Sequence, residues 1–465
     1  MRKEKKPIKL NPFIILFSVI VICAIFTHIV TPGVFERQII DGKTVIDPTS
    51  FHTVERTPVG IFKMFLAIPN GFVGASAVMF LVMLVGGSLE VYSKTGALDK
   101  GISRILTLST KVGSSIILLS IMIMFALIGG FLGWCEQIIP FVPLIVSICI
   151  ALGYDSLVGV ASSALVCLIS FSISPTNMFT IGIAHQIAEL PLFSGMWLRL
   201  IILVIFNVLL MGYILMYASK IKKDPSKSLM KDIDTSSLQK DYSAVANEKM
   251  STSQTLAIII FILTFVISIF CVLKRGWGLN ELSAAFTLSA VLSGIICRIE
   301  PGEIVTGIIE GSKKSFNGAL IIGLARGIQW TMEQGNLVDT LIHAISQPLN
   351  HLPTWATALG VFLVITIVNA LIPSGSGKAM AFMPILIPLA DMVGITRQTM
   401  VLAFQFGDGI SNTFWFTFGT LLIFLSLGKV PLKQWYKFVI PIEIVISIVA
   451  CIFLVLATSI GYGPF

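Results

Sequence analysis

The chain has 465 residues, of which 55% are hydrophobic and 12% charged, about half the ~25% charged share of soluble domains. Its net charge of +8 lies beside apolar runs, which fits the positive-inside bias of a membrane protein and argues against nucleic-acid binding. The seven cysteines are scattered with no CxxC pair, and His28, His52, His343 and His351 have no metal-ligand spacing, so neither a disulfide framework nor a zinc site is implied.

In chain order, Phe13–Val30 follows the basic head MRKEKKPIK and reads as a retained signal-anchor span, because no small-x-small cleavage site follows it. Phe72–Tyr92 reads as the returning span. SKTGALDKGISRILTLSTKVG then forms an amphipathic connector carrying Lys94, Lys100, Arg104 and Lys111. Residues 114–152 are expected to enter and leave the bilayer on one side, as a re-entrant hairpin with its tip at GGFLGWCEQIIP. Residues 155–189 read as a span broken at FSISPTNMFT, and Ser194–Tyr217 as a span leading to a lysine-rich stretch. That stretch, 218–251, is expected to be a solvated, flexible cytoplasmic linker. Gln254–Leu273, Leu279–Cys297 and Phe316–Met332 are further spans, followed by QGNLVDTLIHAISQPLNH, a connector without lysine or arginine. Residues 354–394 form a second hairpin with its tip at IPSGSGKAMAFMP. Residues 396–427 form a second broken span, interrupted at FQFGDGISNTF, and Phe438–Thr458 is the last span.

The two halves, 1–217 and 252–465, are weakly alike. VGGSLEVYSKTGALDKGISRI falls on LARGIQWTMEQGNLVDTLIHAI with Gly96 over Gly335, a shift of 239. PLIVSICIALGYD falls on PILIPLADMVGIT with Pro143 over Pro384, a shift of 241. With the N-terminus in the cytoplasm and the C-terminus outside, 22 of the 32 basic residues lie inside. One connector is basic and its counterpart is not, as an inverted repeat predicts. Charge does not separate a hairpin from two full spans; the hairpin reading rests on the broken apolar pattern. The expected fold is an all-α polytopic membrane protein built from two inverted repeats, each with a re-entrant hairpin and a broken helix.

Polar turns at bilayer depth survive only when buried in protein or lining a wet cavity. Glycine permits the turn and close approach to a ligand. Broken helix ends offer N–H groups to anions and carbonyls to cations, and Ser, Thr and Asn add neutral ligands. Four such breaks predict one polar chamber.

The tract SGSGKAMAFMPILIPLADMVGITRQTMVLAFQFGDGISN resembles the YfcC branch of the C4-dicarboxylate anaerobic carrier (DcuC) family, within the ion transporter superfamily. GWCEQIIPFVPLIVSICIALGYDSLVGVA and FTIGIAHQIAELPLFSG are similar to its first-half tracts. The resemblance implies a scaffold that forms a homodimer, a transport domain with two opposed hairpins, and elevator-type movement in a bacterial inner membrane. It also implies carboxylate or amino-acid substrates moved with Na⁺ or H⁺ or by exchange; some members are called basic amino-acid antiporters, others dicarboxylate carriers.

The substrate-binding candidates are Glu136, Gln137, Thr176, Asn177, Ser374, Gly375, Ser376, Gly377, Lys378 and Asn412. Lys378 has three readings: a ligand for a substrate carboxylate, the partner of a structural carboxylate such as Glu136, or a tethered cation in place of Na⁺. Glu136 would take a substrate ammonium or a proton. Asp408, Ser174, Ser411 and Thr413, with Glu136, are the ion-coupling candidates; Asp408 could instead cap a half-helix beginning near Ile410. Arg326 reads as a structural ion pair with Glu90 or Asp391 or as a substrate contact, His185 as a packing histidine before a protonation switch, and Glu443 as a residue snorkelling from a helix end. GSGK fails the phosphate-loop pattern, since Ile372 and Ala379 stand at its fixed positions. With neither HExxH nor GxSxG present, no enzyme chemistry, resident metal or organic cofactor is expected. The expected function is secondary transport of a small carboxylate-bearing metabolite, an amino acid in preference to a C4-dicarboxylate, with a passive channel as the remote alternative.

Overall fold

The computed structural model describes residues 12–40, 43–47, 49–239, 248, 250–349 and 352–463. The basic head and linker residues 240–247 and 249 lie outside them. Helix α1 (Pro12–Ile29) leads into two short antiparallel ribbons, β1 (Gly33–Val34) with β4 (His52–Thr53), and β2 (Arg37–Ile40) with β3 (Lys43–Ile46). Next come α2 (Ile61–Gly74), α3 (Ser76–Lys94) and α4 (Ala97–Val112). Helices α5 (Ser114–Leu127) and α6 (Val142–Ala151) are joined by a π-helical turn, Gly133 in the left-handed region (φ 62°), and a 3₁₀ turn from Glu136 to Phe141. The segments α7 (Ser156–Val160), α8 (Val166–Ser172) and α9 (Ile181–Ile187) follow, with the chain non-helical from Ile173 to Thr180. Then α10 (Met196–Lys223), α11 (Thr252–Arg275), α12 (Leu279–Ile296), α13 (Pro301–Gln334) and α14 (Leu337–Leu349) complete the middle of the chain. Helix α15 (Thr354–Val368) turns into α16 (Gly375–Val393). Helix α17 (Arg397–Ser411) breaks before α18 (Gly419–Leu427), and α19 (Leu432–Ser459) ends the chain.

Among the described residues eight helices, α5 counted with its π-helical turn to Leu132, are long and apolar enough to cross a membrane, and the chain is an integral membrane protein. Their starts are set locally. Ser251 and Gln254 form a capping box at α11, while Asp155, Ser374 and Thr396 accept N–H bonds at the starts of α7, α16 and α17.

The helices pack as two groups. In the first, α13 lies against α1, α2 and α3, and α12 against α3 and α11. The α3–α13 crossing is tight because glycines line it: a Cβ on Gly311 would sit 2.3 Å from the Gly86 carbonyl oxygen. Gly311→Val should therefore part the two helices, at a cost of about 1–3 kcal/mol or more. Gly302→Val on the same helix, where a Cβ meets open space, should leave thermal unfolding unchanged; equal melting temperatures for the two variants would refute the close-crossing argument. The second group holds α5–α10 and α15–α19, with α17 at its centre, packed on α8, α9, α15, α16 and α19. Helix α18 and the 3₁₀ turn at Glu136 touch the first group.

Three features differ from the sequence reading. Helix α2 and the ribbons over residues 33–53 are additional elements; the ribbons are tied down by distant residues, with Asp339 accepting the Phe35 N–H (3.1 Å) and pairing with Arg37 (2.8 Å). Within the stretch expected to be a linker most described residues are exposed, but α10 runs on to Lys223 and residues 228–230 are anchored by Asp155 and Tyr217. Ser228 Oγ donates to Asp155 Oδ2 (2.6 Å), the Leu229 N–H donates to the Tyr217 hydroxyl (3.0 Å), and Met230 is buried. Glu443 lies within α19, not near a helix end, and is buried; Pro441 is accommodated inside the helix.

Candidate functional site

The turn before α16 is built by Ser374, whose Oγ accepts the Gly377 N–H (3.2 Å) and whose carbonyl accepts the Lys378 N–H (2.9 Å). The N–H groups of Gly375 and Ser376 then have no acceptor within the helix. Gly375 is held against α17: a Cβ there would meet Asp408 Oδ2 at 2.9 Å and the Thr180 methyl at 2.8 Å. Only glycine brings this turn so close to both breaks.

These elements line a partly open cavity of about 350 Å³ between the two helix groups. The second group contributes Glu136 and Gln137 from one turn, Ser374, Gly375 and Ser376 from the other, and Asp408 and Asn412 from α17. The first group contributes Arg326 and Gln329 of α13 and Gly74 of α2. Gln137 is occupied in part, its Oε1 accepting the Cys135 N–H (3.0 Å).

The charges divide into a buried ion pair and two others. Lys378 does not line this cavity. Its ammonium is fully buried, 2.7 Å from Asp408 Oδ1, and donates to Asn369 Oδ1. The carboxylate that Lys378 faces is thus Asp408, not Glu136, because α16 lies along α17. Among the described residues neither Asp408 oxygen has a well-aligned hydrogen bond, so this contact is chiefly Coulombic. Asp408 falls inside the last turns of α17, so it caps no half-helix; Asn412 ends α17 instead. Arg326 is not paired with Glu90 or Asp391, which are taken by Lys314 (2.7 Å) and Arg397 (2.8 Å). It donates to Gln329, and the Gln329 amide donates to Glu333 (2.8 Å). Among the described residues neither Arg326 nor Glu136 has an ion-pair partner.

The remaining candidates are placed as follows. Asn177 is buried behind the cavity, where its Oδ1 accepts the Phe179 (2.8 Å) and Thr180 (3.2 Å) N–H groups. Thr176 donates to the Phe131 carbonyl (2.7 Å), tying the first break to the first turn. Gly377 and Lys378 line a second, neighbouring cavity with Arg37, Asp339 and Gln329, the last of which lines both. Ser411 donates to the Gly407 carbonyl (2.6 Å) and Thr413 to the Ile410 carbonyl (2.8 Å). Ser174 is buried, and its carbonyl accepts from Gln405 (3.0 Å). The buried Ser174 Oγ, Thr180 Oγ1, Asn177 Nδ2 and Gln405 Oε1 have no hydrogen-bond partner among the described residues, leaving polar capacity at the first break unused. His185 is buried, its Nδ1 accepting the Phe193 N–H (3.0 Å).

Sequence reasoning missed Gln329, Thr180, Gln405 and above all Asn369. Asn369 Nδ2 lies within hydrogen-bond distance of the Asp408 carbonyl (3.1 Å), Ser411 Oγ (2.7 Å) and Asn412 Oδ1 (2.8 Å). An asparagine at the end of the apolar run GVFLVITIV was the available signal.

The model of the DcuC family, described as C4-dicarboxylate anaerobic carrier, matches residues 11–459. The chain belongs to the DcuC family. Within reach of this DcuC-family chain is the Escherichia coli (strain K12) protein YfcC, whose name proposes a basic amino acid antiporter. The two are 27% identical over 491 residues, covering 97% of each. An uncharacterized protein of Haemophilus influenzae is 29% identical over 421 residues, 90% of this chain and 82% of that one. Among solved structures, the Alcanivorax borkumensis YdaH transporter is 14% identical with a TM-score of 0.43, covering 97% of this chain and all of that one. Neisseria gonorrhoeae MtrF, from a class of antimetabolite efflux pumps, is 15% identical with a TM-score of 0.44, covering 97% and 95%. As a member of the DcuC family, this protein is a transporter.

Proposed function

We propose that this transporter moves an amino acid, with basic amino acids as the leading class, by secondary exchange or ion-coupled transport across a bacterial inner membrane. The observation that carries the reading is the charge balance of the cavity. Once Lys378 and Asp408 offset one another, one carboxylate (Glu136) and one guanidinium (Arg326) face it from different walls. That arrangement suits a zwitterion. The substrate carboxylate goes to Arg326 and the free N–H groups of Gly375 and Ser376 at the positive end of α16, and the ammonium goes to Glu136. The name of the Escherichia coli relative agrees with this class.

Movement is proposed to be of the elevator type, the first helix group serving as scaffold and the second as transport body. Both groups wall the central cavity. They also wall another of about 520 Å³, which is lined by Glu90, Lys314, Ser147 and Lys429 near the basic connector. Sliding one group along the other would carry a ligand from one to the other.

The family description favours a second reading, a C4-dicarboxylate, in which Arg326 and the α16 terminus each take a carboxylate and Glu136 is protonated. Uptake of labelled arginine, ornithine, aspartate and succinate into proteoliposomes separates the two. Arginine or ornithine should be carried, and Glu136→Gln should weaken amine-bearing substrates about 30-fold or more, the loss of a desolvated charge pair, while leaving succinate nearly unchanged. Transport of succinate alone by the unaltered protein would falsify the zwitterion reading.

A further inference from the structure

We propose that Lys378 is the resident cation of the transport body: its ammonium fills the place in which a coupling Na⁺ would be bound, so this chain carries no Na⁺ there. The inference rests on the protein being a transporter and not on which substrate it carries.

The surroundings of the ammonium have the character of a cation site. Its partners are oxygens, Asp408 Oδ1 at 2.7 Å and Asn369 Oδ1. Asn369 is oriented from its other end by the Asp408 carbonyl, Ser411 Oγ and Asn412 Oδ1. The cluster lies where the turn between α15 and α16 meets the broken end of α17, whose carbonyls carry the negative end of the helix dipole. A carboxylate, an amide oxygen and a helix C-terminus are ligands suited to a hard monovalent cation. Lys378 brings a charge of the same sign and size on a side chain that is itself fixed to the second group of helices.

Two further observations separate this from an ordinary structural ion pair. Lys378 comes from the first turn of α16, so its charge moves with the same turn that presents Gly375 and Ser376 to the cavity. Asp408, its partner, also lines that cavity, 2.9 Å from where a Cβ on Gly375 would sit. The ammonium thus neutralises a carboxylate beside the ligand space, as a bound metal cation would, and keeps doing so whatever the salt on either side. A Na⁺ added next to it would meet a like charge at contact distance in a poorly screened interior.

The test reads cation binding without any substrate. Purified protein in detergent is unfolded thermally in NaCl, methylammonium chloride or choline chloride at equal ionic strength. The unaltered protein should melt at the same temperature in all three. Lys378→Ala should melt lower in choline and recover by about a few °C in NaCl or methylammonium, which enter the vacated place. Lys378→Ala/Asp408→Asn should lose that response. Lys378→Gln, which retains a donor toward Asp408, serves if the alanine variant does not fold in any salt, and the same cation response is required of it. The proposal is overturned by a saturable Na⁺ stabilisation of the unaltered protein that Asp408→Asn abolishes. It is equally overturned by a folded Lys378 variant indifferent to all cations. Neither result touches the substrate reading, which fails only in the uptake assay.

Discussion

Lys378→Met alone should destabilise the protein by about 3–5 kcal/mol, and Asp408→Asn alone by a similar amount, because each leaves a buried charge without its counter-charge. The two side chains are 0% and 1% exposed, so solvent screening gives little relief. Replacing both together should recover most of the loss, since two neutral groups of similar volume remove the desolvation cost of the pair along with its attraction. Thermal unfolding of the four proteins closes the cycle, and the coupling term isolates the pair. Transport should follow a different order: the double variant, although stable, should carry substrate poorly, because the cavity has lost the charge pair that holds α16 against α17. If the double variant is no more stable than either single one, the contact between Lys378 and Asp408 does not organise this site.

How far the sequence revealed this site depends on the range over which each feature is set. The apolar runs and their interruptions are local. The turns at Gly133 and Ser374, and the breaks after Ser172 and Ser411, are accordingly where glycine, serine and asparagine intrude on hydrophobic sequence. Pairing is not local. Lys378 finds Asp408 because α16 packs along α17, and no spacing rule encodes which carboxylate a buried lysine will face. For Arg326 the sequence leaves an ion pair and a substrate contact open; Glu90 and Asp391, the carboxylates it offers as partners, meet Lys314 and Arg397 instead. Helix α2 was hidden by Pro69 and Asn70, which look like a turn. The Asn70 amide donates to the Leu66 carbonyl (2.8 Å) and keeps the polar group satisfied within the helix. The ribbons over residues 33–53 depend on Asp339 and Thr340 of α14, some three hundred residues away, and short strands held by remote side chains leave little periodicity to read.

Arg326→Gln should weaken every carboxylate-bearing substrate, amino acid and dicarboxylate alike, which distinguishes it from Glu136→Gln. Removing one partner of a desolvated, charge-assisted contact costs about 2–5 kcal/mol, or roughly 30- to several-thousand-fold in apparent affinity. Folding should change little, because the side chain is only half-buried and among the described residues makes no ion pair; its hydrogen-bond partner Gln329 keeps its bond to Glu333. Arg326→Lys should recover only part of the affinity, since an ammonium lacks the planar fork that meets a carboxylate with two bonds. Competition measurements at saturating and limiting substrate place the effect: a carboxylate ligand raises KM and leaves maximal exchange largely intact, whereas a residue needed only for the sliding of the groups lowers the maximal rate at unchanged KM. A variant with normal KM for both substrate classes would remove the guanidinium from the binding wall. The α16 N-terminus would then be left as the carboxylate anchor, a weaker one by itself at about 0.3–2 kcal/mol.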